Sequence, residues 1–482
     1  MIIKLKMMKM IHKSIKFLLL ISLLVGLGAC SDYLDINVSP NSPEEPGDLD
    51  LLIADMTSTT SYNLVGGGNW SRLGAQWIQH IANNANAPSN DTYRINTSDM
   101  NNEWAFYSYA GVLINGKKTI EFATKTEQWH HIGLAKLLMA HNYALLADMW
   151  GDIPFTEALG RENNIKPTYD DQATVYEGVQ TLLDEAITEL GKSPAITVGG
   201  GDYYFGGDPA AWIQIAYALK ARYYMHLTNV KDAEAQATLA LEALNKAMTG
   251  PEAEARFPYS SDSGSESPWN QWITKFATAM QVSNHFVTLL KSKNDPRLPI
   301  MADMNNVGEY VGHVNGGPTT NSLGDNSSIG TYFLDADLDF PLMTYVEQKF
   351  IEAEALWILN RQDDARAAYE EAIRIHMGQL SGNGELNTVI DEATQDAYLA
   401  ANPLNSLDDL ITQKYIAGFV FSSMEAYNDY RRTGFPSTLQ PVPNGDVNQI
   451  PTRMIYTDTE INNNIENVPA GITLTSKVWW DQ

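Results

Sequence analysis

The stretch DQATVYEGVQTLLDEAITEL, residues 171–190, decides the fold class. Val175, Val179, Leu182, Leu183, Ala186, Ile187 and Leu190 recur at the spacing that lines one face of an α-helix, and Asp171 stands where an N-cap carboxylate belongs. A period of 3.6 over five turns is incompatible with a strand. Outward from it the same signature returns. Asp208-Pro209 supplies a cap and a pre-set φ, after which Trp212, Ile215, Ala216, Leu219 and Tyr223 share a face. An alanine-rich segment follows from Ala233 to Met248 and stops at Gly250-Pro251. Val346, Phe350, Ala353 and Trp357 then make one stripe, and Ala365, Ala368, Tyr369, Ala372 and Ile373 the next. Small residues on the second helix of each pair let antiparallel helices approach closely, the physical basis of tetratricopeptide-like stacking. The helix from Leu134 to Met149 and the one after Asp171 make a further candidate pair. The expected fold is mainly α, built of such pairs, with long irregular loops forming a ligand face.

Those loops run from about Asn63 to Asn102 and from about Asn305 to Asp339, and are rich in Gly, Asn, Ser and Thr with interleaved aromatics. Loops of that length in a packed protein carry function or remain disordered. Flat rings flanked by amides and carboxylates suit sugar rings or prolyl groups. Trp70, Tyr93, Trp269, Tyr310 and Tyr332 are therefore the expected ligand-binding residues. Trp104 and Tyr107, at helical spacing before Gly111, read as core.

The N-terminus sets the compartment. Lys4, Lys6, Lys9, Lys13 and Lys16 precede an apolar run from Phe17 to Ala29 that ends at Cys30, the single cysteine. Thirteen apolar residues are too few to span roughly 30 Å of hydrocarbon, which takes about 20. The pattern is that of a secretion signal over residues 1–29. Leu27-Gly28-Ala29-Cys30 resembles a bacterial lipobox, which makes Cys30 the expected lipid anchor. Residues 30–48, with Pro40, Pro43 and Pro46, read as a flexible tether, and 49–482 as the folded domain. A lone cysteine leaves the fold without disulfides.

Formal charge is −26 over the chain. Five of its 32 basic side chains leave with the signal, so 27 face 58 acidic ones, giving −31. Such acidity disfavours nucleic acid as a partner. Catalytic and metal signatures are lacking: there is no His-Glu-x-x-His, Gly-x-Ser-x-Gly or phosphate-cradling loop. Asp335, Asp337 and Asp339 open like a calcium loop, but Phe340 and Val346 stand where its glycine and bidentate glutamate belong. His130 and His131, about 100° apart on a helix, read as surface or capping residues. No metal, cofactor or catalytic residue is expected from these patterns, while a carboxylate pair for glycoside hydrolysis is set by tertiary geometry and has no sequence spacing; that the protein is a binder rather than an enzyme is what the resemblance below implies.

The last third of the chain carries a resemblance. Arg431-Arg432-Thr433-Gly434-Phe435-Pro436 is followed by Ile450-Pro451-Thr452-Arg453-Met454-Ile455-Tyr456, by Glu460 and Asn464, and by Val478-Trp479-Trp480-Asp481. In order and spacing these resemble the C-terminal signature of SusD/RagB outer-membrane nutrient-binding lipoproteins. Trp150-Gly151-Asp152-Ile153-Pro154-Phe155-Thr156-Glu157-Ala158 and Met343-Thr344-Tyr345-Val346-Glu347 are similar to further family segments. Thr457 departs from the proline that members often carry there, which touches the local turn.

The resemblance implies a SusD-like α/α superhelical fold and a lipoprotein of the outer membrane, facing the exterior. It implies capture of an oligosaccharide or peptide nutrient and delivery to a SusC-like TonB-dependent transporter, over which the protein sits as a lid. The signature residues themselves read as scaffold, Arg431 and Arg432 closing a helix and Trp479 and Trp480 packing the terminus. A lipid-anchored glycoside hydrolase and a helical-repeat scaffold of the envelope are the alternatives.

Overall fold

The computed structural model describes residues 47–84, 90–160, 164–277, 279–318, 322 and 324–482, with most positions among the first 13. The chain divides into two units, Met1–Asp48 and Leu49–Gln482. Cys30, the apolar run before it and nearly all of the expected tether lie outside the described residues.

The second unit is mainly helical. Its helices are α1 (Leu49–Thr59), α2 (Asn69–Trp77), α3 (Ile114–Lys125), α4 (Trp129–Trp150), α5 (Gln172–Leu190), α6 (Pro209–His226), α7 (Ala233–Leu244), α8 (Pro268–Lys275), α9 (Asn284–Ser292) and α10 (Leu298–Met301). They continue as α11 (Tyr345–Ile358), α12 (Gln362–Leu380), α13 (Glu392–Ala401), α14 (Leu407–Ala417), α15 (Ser423–Thr433) and α16 (Asp458–Asn463). Two π-helical segments, Thr60–Val65 and Asn102–Leu113, interrupt the α pattern. Only two-residue and three-residue strands occur among the described residues. Ile81–Asn83 pairs antiparallel with Met280–Val282, and Arg256–Phe257 with Phe340–Pro341.

Helices α3 to α7, then α11 and α12, pack as a continuous stack in which α4 meets α5, α6 meets α7, and α11 joins α7 to α12. Local chemistry dictates the starts. Asp171 accepts from the Thr174 N–H at 2.7 Å, Asp208 from Ala210 at 2.9 Å with Pro209 next, and Asp232 from Ala235 at 2.8 Å. Each carboxylate satisfies an amide that has no partner within the helix. The expected stripes are inside: Val175, Val179, Leu183, Ala186 and Leu190 of α5 are buried, as are Ala237, Ala240 and Ala243 of α7 and Ala365, Ala368 and Ala372 of α12. At Gly133 a Cβ would stand 2.6 Å from Leu190 Cγ and 3.0 Å from the Ala186 carbonyl, so glycine sets the α4–α5 separation.

Charge pairs run through this core. Arg432 binds Glu354 in a fork at 2.6 and 2.9 Å, and Arg222 binds Glu347 likewise at 2.7 and 2.8 Å. Arg431 donates to the carbonyls of Asp148 and Thr452 and lies over the rings of Tyr427 and Trp480. Trp480 is fully buried with its indole N–H on Asp148, while Trp479 is half-buried. Glu460 accepts from Trp104 and Tyr169. The C-terminal segment is thus sewn across α4, α11 and α15, with Arg432 ion-paired to Glu354 and Arg431 hydrogen-bonded to backbone carbonyls inside the protein. His130 and His131 depart from the expected surface position. His131 is 2 % exposed with Nε2 2.9 Å from Asp50, and His130 bonds the Lys192 carbonyl, because both faces of α4 are covered by neighbouring segments.

Candidate functional site

Three consecutive glycines shape a cleft walled by several aromatic rings. A Cβ on Gly67 would come within 2.7 Å of Pro268 and one on Gly66 within 2.8 Å, so these two glycines lie directly against the start of α8, while Gly68 packs on the Asn63 backbone. This contact brings the π-helical turn Thr60–Val65, helix α2 and helix α8 around a common opening, and the π-helix Asn102–Leu113 closes a further side. The cleft encloses about 440 Å³ and is lined by Tyr62, Arg72, Glu103, Tyr107, Trp272 and Phe276, with amides from Asn63, Asn69, Asn102 and Gln271. A volume of that order suits a small organic ligand.

Trp272 is its centre. The Arg72 guanidinium carbon stands 3.6 Å from the Trp272 ring centroid, a cation–π contact that is stronger for being largely desolvated. Phe276 leans on the same indole at 4.5 Å between centroids. Arg72 also donates to the Gly67 carbonyl, and the Tyr62 hydroxyl donates to Gln271 at 2.8 Å. The rings are therefore held in place before any ligand arrives, which lowers the ordering cost of binding.

Burial tunes the charged groups. The Glu103 carboxyl, 3 % exposed, is pushed up to about 7 by burial, with its own amide and Arg72 pulling the other way. Arg72 is brought down to about 10 by burial, opposed by Glu103. Burial likewise raises the Tyr62 and Tyr107 hydroxyls.

The sequence-expected ligand residues fall elsewhere. Trp70 is fully buried, edge-on to Trp150 at 5.2 Å, because it points from α2 into the core while Arg72, two positions on, points to the cleft. Tyr93 is 1 % exposed, its hydroxyl accepting from the Val442 N–H. Trp269 is 1 % exposed in the first turn of α8, one turn before Trp272. These three offer no face to a ligand in this conformation. Tyr310 and Tyr332 are half-buried and line other surfaces, Tyr332 against Phe333. Tyr107 departs from the core reading. In a π-helix the wider winding takes it off the face of buried Trp104 and into the cleft wall. The signal that could have found Trp272 was the α8 start itself, where Ser267 caps and Pro268 follows.

A second cavity of about 460 Å³ lies among Gln79, Asn284, His285, Gln440, Pro441 and Pro443, without a Trp, Tyr or Phe ring in its wall. Asp148, His226 and Glu425 bring ligand atoms within 4.8 Å of one another. His226 spends one nitrogen on Glu425 at 3.0 Å and the other on Tyr176 at 2.8 Å. Burial alone would lower its basicity, but Glu425 and Asp148 carry it up to about 9.

The sequence matches, over residues 40–457, the SusD-like family described as starch-binding and associating with the outer membrane. The chain belongs to this SusD-like family. Solved structures agree on the fold. A SusD/RagB family protein of Bacteroides thetaiotaomicron superposes with TM-score 0.81 at 24 % identity, covering 90 % of this chain and 99 % of its own. A chitin-binding protein gives 0.77 at 22 %, covering 90 % and 100 %, and a SusD homologue of Bacteroides fragilis 0.75 at 20 %, covering 91 % and 100 %. No curated protein matches. The SusD-like chain is accordingly one of an outer-membrane, nutrient-binding family, and no described helix is long and apolar enough to cross a membrane.

Proposed function

We propose that this SusD-like protein captures an oligosaccharide in the Trp272 cleft and delivers it to a SusC-like TonB-dependent transporter, serving as that transporter's lid. The observation that carries the reading is the pre-set group of Trp272, Phe276, Tyr62 and Tyr107 with amides around it. Rings give a sugar's apolar face something to stack on, and amides meet its hydroxyls. The chitin-binding name of one structural neighbour favours a glycan over a peptide. The chain performs no bond chemistry on this reading. Residues 1–29 are removed as a signal, Cys30 receives lipid, and residues 30–48 serve as a tether on the cell exterior. Two or three acyl chains make such attachment durable where one would not.

Affinity electrophoresis through gels containing starch, xylan or glycol chitin, with protease shaving of intact cells and purification of the native complex, tests it. Retardation in one polymer without product release, surface cleavage and a co-purifying barrel protein are expected. Free migration in all three gels with no barrel partner would refute it, and released product would turn the reading toward the lipid-anchored hydrolase.

A further inference from the structure

The second cavity, of about 460 Å³ beside helix α9, is lined without an Asp, Glu, Lys or Arg, in a chain that carries a formal charge of −26. One wall is a row of short polar side chains. Asn284, Thr288 and Ser292 stand four residues apart on the exposed face of α9, so they repeat about every 6 Å along its axis. The Asn284 side-chain amide and the Thr288 hydroxyl make no hydrogen bond within the protein, and both residues are exposed where they line the cavity. Elsewhere Thr119, Thr124, Thr181 and Thr188 return their hydroxyls to the carbonyl four residues back, whereas Thr288 leaves its own free.

The facing wall, Gln440 to Pro443, is held in advance. Pro441 and Pro443 fix two of its φ angles. Gln79 donates its side-chain amide to the Gln440 carbonyl, and the Tyr93 hydroxyl accepts from the Val442 N–H at 3.2 Å. Both holders sit in the left-handed region, Gln79 at φ 57° and Tyr93 at φ 61°. That conformation costs free energy for a residue with a Cβ and recurs at ligand clamps. Here two residues so placed brace one four-residue wall.

We propose that this cavity is a second binding site, and that it takes an uncharged stretch of extended polypeptide, about three to four residues from the interior of a longer chain. The inference goes beyond capture in the Trp272 cleft and does not depend on it. Groups on one side of an extended chain repeat about every 6.6 Å, close to the repeat of the α9 row. Asn284 and Gln440 each present a donor and an acceptor, the pair that a peptide group needs, and the Thr288 hydroxyl serves as either. From Asn284 to Ser292 the helix runs about 12 Å, the length of three to four extended residues. Leu289, Val314 and Val442 give the alternate side chains apolar surface. A sugar fits less well, because the wall has no Trp, Tyr or Phe ring for it to stack on. Charged side chains and free chain ends would meet no counter-charge in this wall, so their desolvation goes uncompensated.

Ultrafiltration of the purified protein with tetrapeptide libraries, read by mass spectrometry, tests this. The first library is acetylated and amidated and drawn from Ala, Val, Leu, Ser, Thr, Asn and Gln; the second adds one Lys, the third one Glu, and the fourth leaves both ends free. Wild type should retain members of the first at least tenfold more than members of the others. A retained sequence placed in the middle of a Gly/Ser chain of about thirty residues should bind as well as the capped tetrapeptide. The double variant Asn284→Ala, Thr288→Val, at unchanged near-ultraviolet dichroism, should lose retention at least tenfold, while Trp272→Ala should keep it. No retention from the first library, equal retention from all four, loss of binding inside the longer chain, or retention that the double variant keeps would overturn the proposal. Displacement of the retained peptides by maltohexaose or N-acetylchitohexaose would overturn it as well, by making this a sugar site. Each result reads the same whether or not the Trp272 cleft holds sugar.

Discussion

His226 is completely buried between carboxylates, and its protonation stabilises the fold. Its ordinary value near 6.5 rises to about 9 in the folded state, so its stabilising contribution is fully present below pH 6.5 and is lost as pH climbs through about 9. Glu425 moves the opposite way. Burial would raise it, yet Arg222 and His226 hold it well below the usual carboxylate range, which keeps the pair charged through neutral pH. The urea midpoint of wild type should fall between pH 7 and pH 9.5, and His226→Gln should show a clearly smaller fall over the same range. Equal slopes in the two proteins would show that the histidine is already neutral in the fold. The same residue-scale view applies to the cleft: Trp272 lines it, whereas Trp269, one turn earlier on α8, is buried in the core.

At the scale of elements, helix contacts are tuned by single Cβ atoms. Gly133 and Gly378 are both helical, and alanine would help each by about 1 kcal/mol through helix propensity alone. Their surroundings differ. A Cβ at Gly133 meets Leu190 and the Ala186 backbone within 3.0 Å, whereas one at Gly378 meets nothing within 4 Å. Gly133→Ala should lose about 1–3 kcal/mol by overpacking, while Gly378→Ala should gain up to about 1 kcal/mol, as read from denaturant unfolding. A shift of the same sign in both would mean that α4 and α5 are not held at this separation. The helix pairs were legible beforehand because caps at Asp171, Asp208 and Asp232 and stripes such as Val175 to Leu190 are local signals. The wall of the candidate cleft was not. It is made by an eight-residue helix and two π-helical segments, whose winding a 3.6-residue count misplaces, as it did Tyr107. Tyr93 and Trp70 sit in stretches with the composition of a ligand face, but Trp70 falls on α2 and packs on Trp150, and Tyr93 is tied to the Val442 amide, contacts distant in sequence that no local pattern shows.

For the whole molecule, the proposed division of labour separates attachment from capture. The folded unit Leu49–Gln482 contains the entire cleft, and Cys30 precedes it in sequence. Cys30→Ala should therefore keep the wild-type melting temperature and ligand affinity while the protein is lost from the cell envelope in fractionation. A variant that fails to fold would contradict an anchoring role. The buried, hydrogen-bonded Arg431, Arg432 and Trp480 fit a C-terminal segment that ties the stack together, and the capture proposal places recognition in the 60–107 and 268–276 regions. Whether recognition happens there is decided most directly by comparing wild type with Trp272→Ala over the polymer panel, at matched near-ultraviolet dichroism. Removing the stacking face should weaken retention at least tenfold, a cost of about 1.4 kcal/mol or more that is ordinary for a central aromatic anchor. Equal retardation of the two proteins in the polymer that holds wild type would place the ligand outside this cleft and contradict the account.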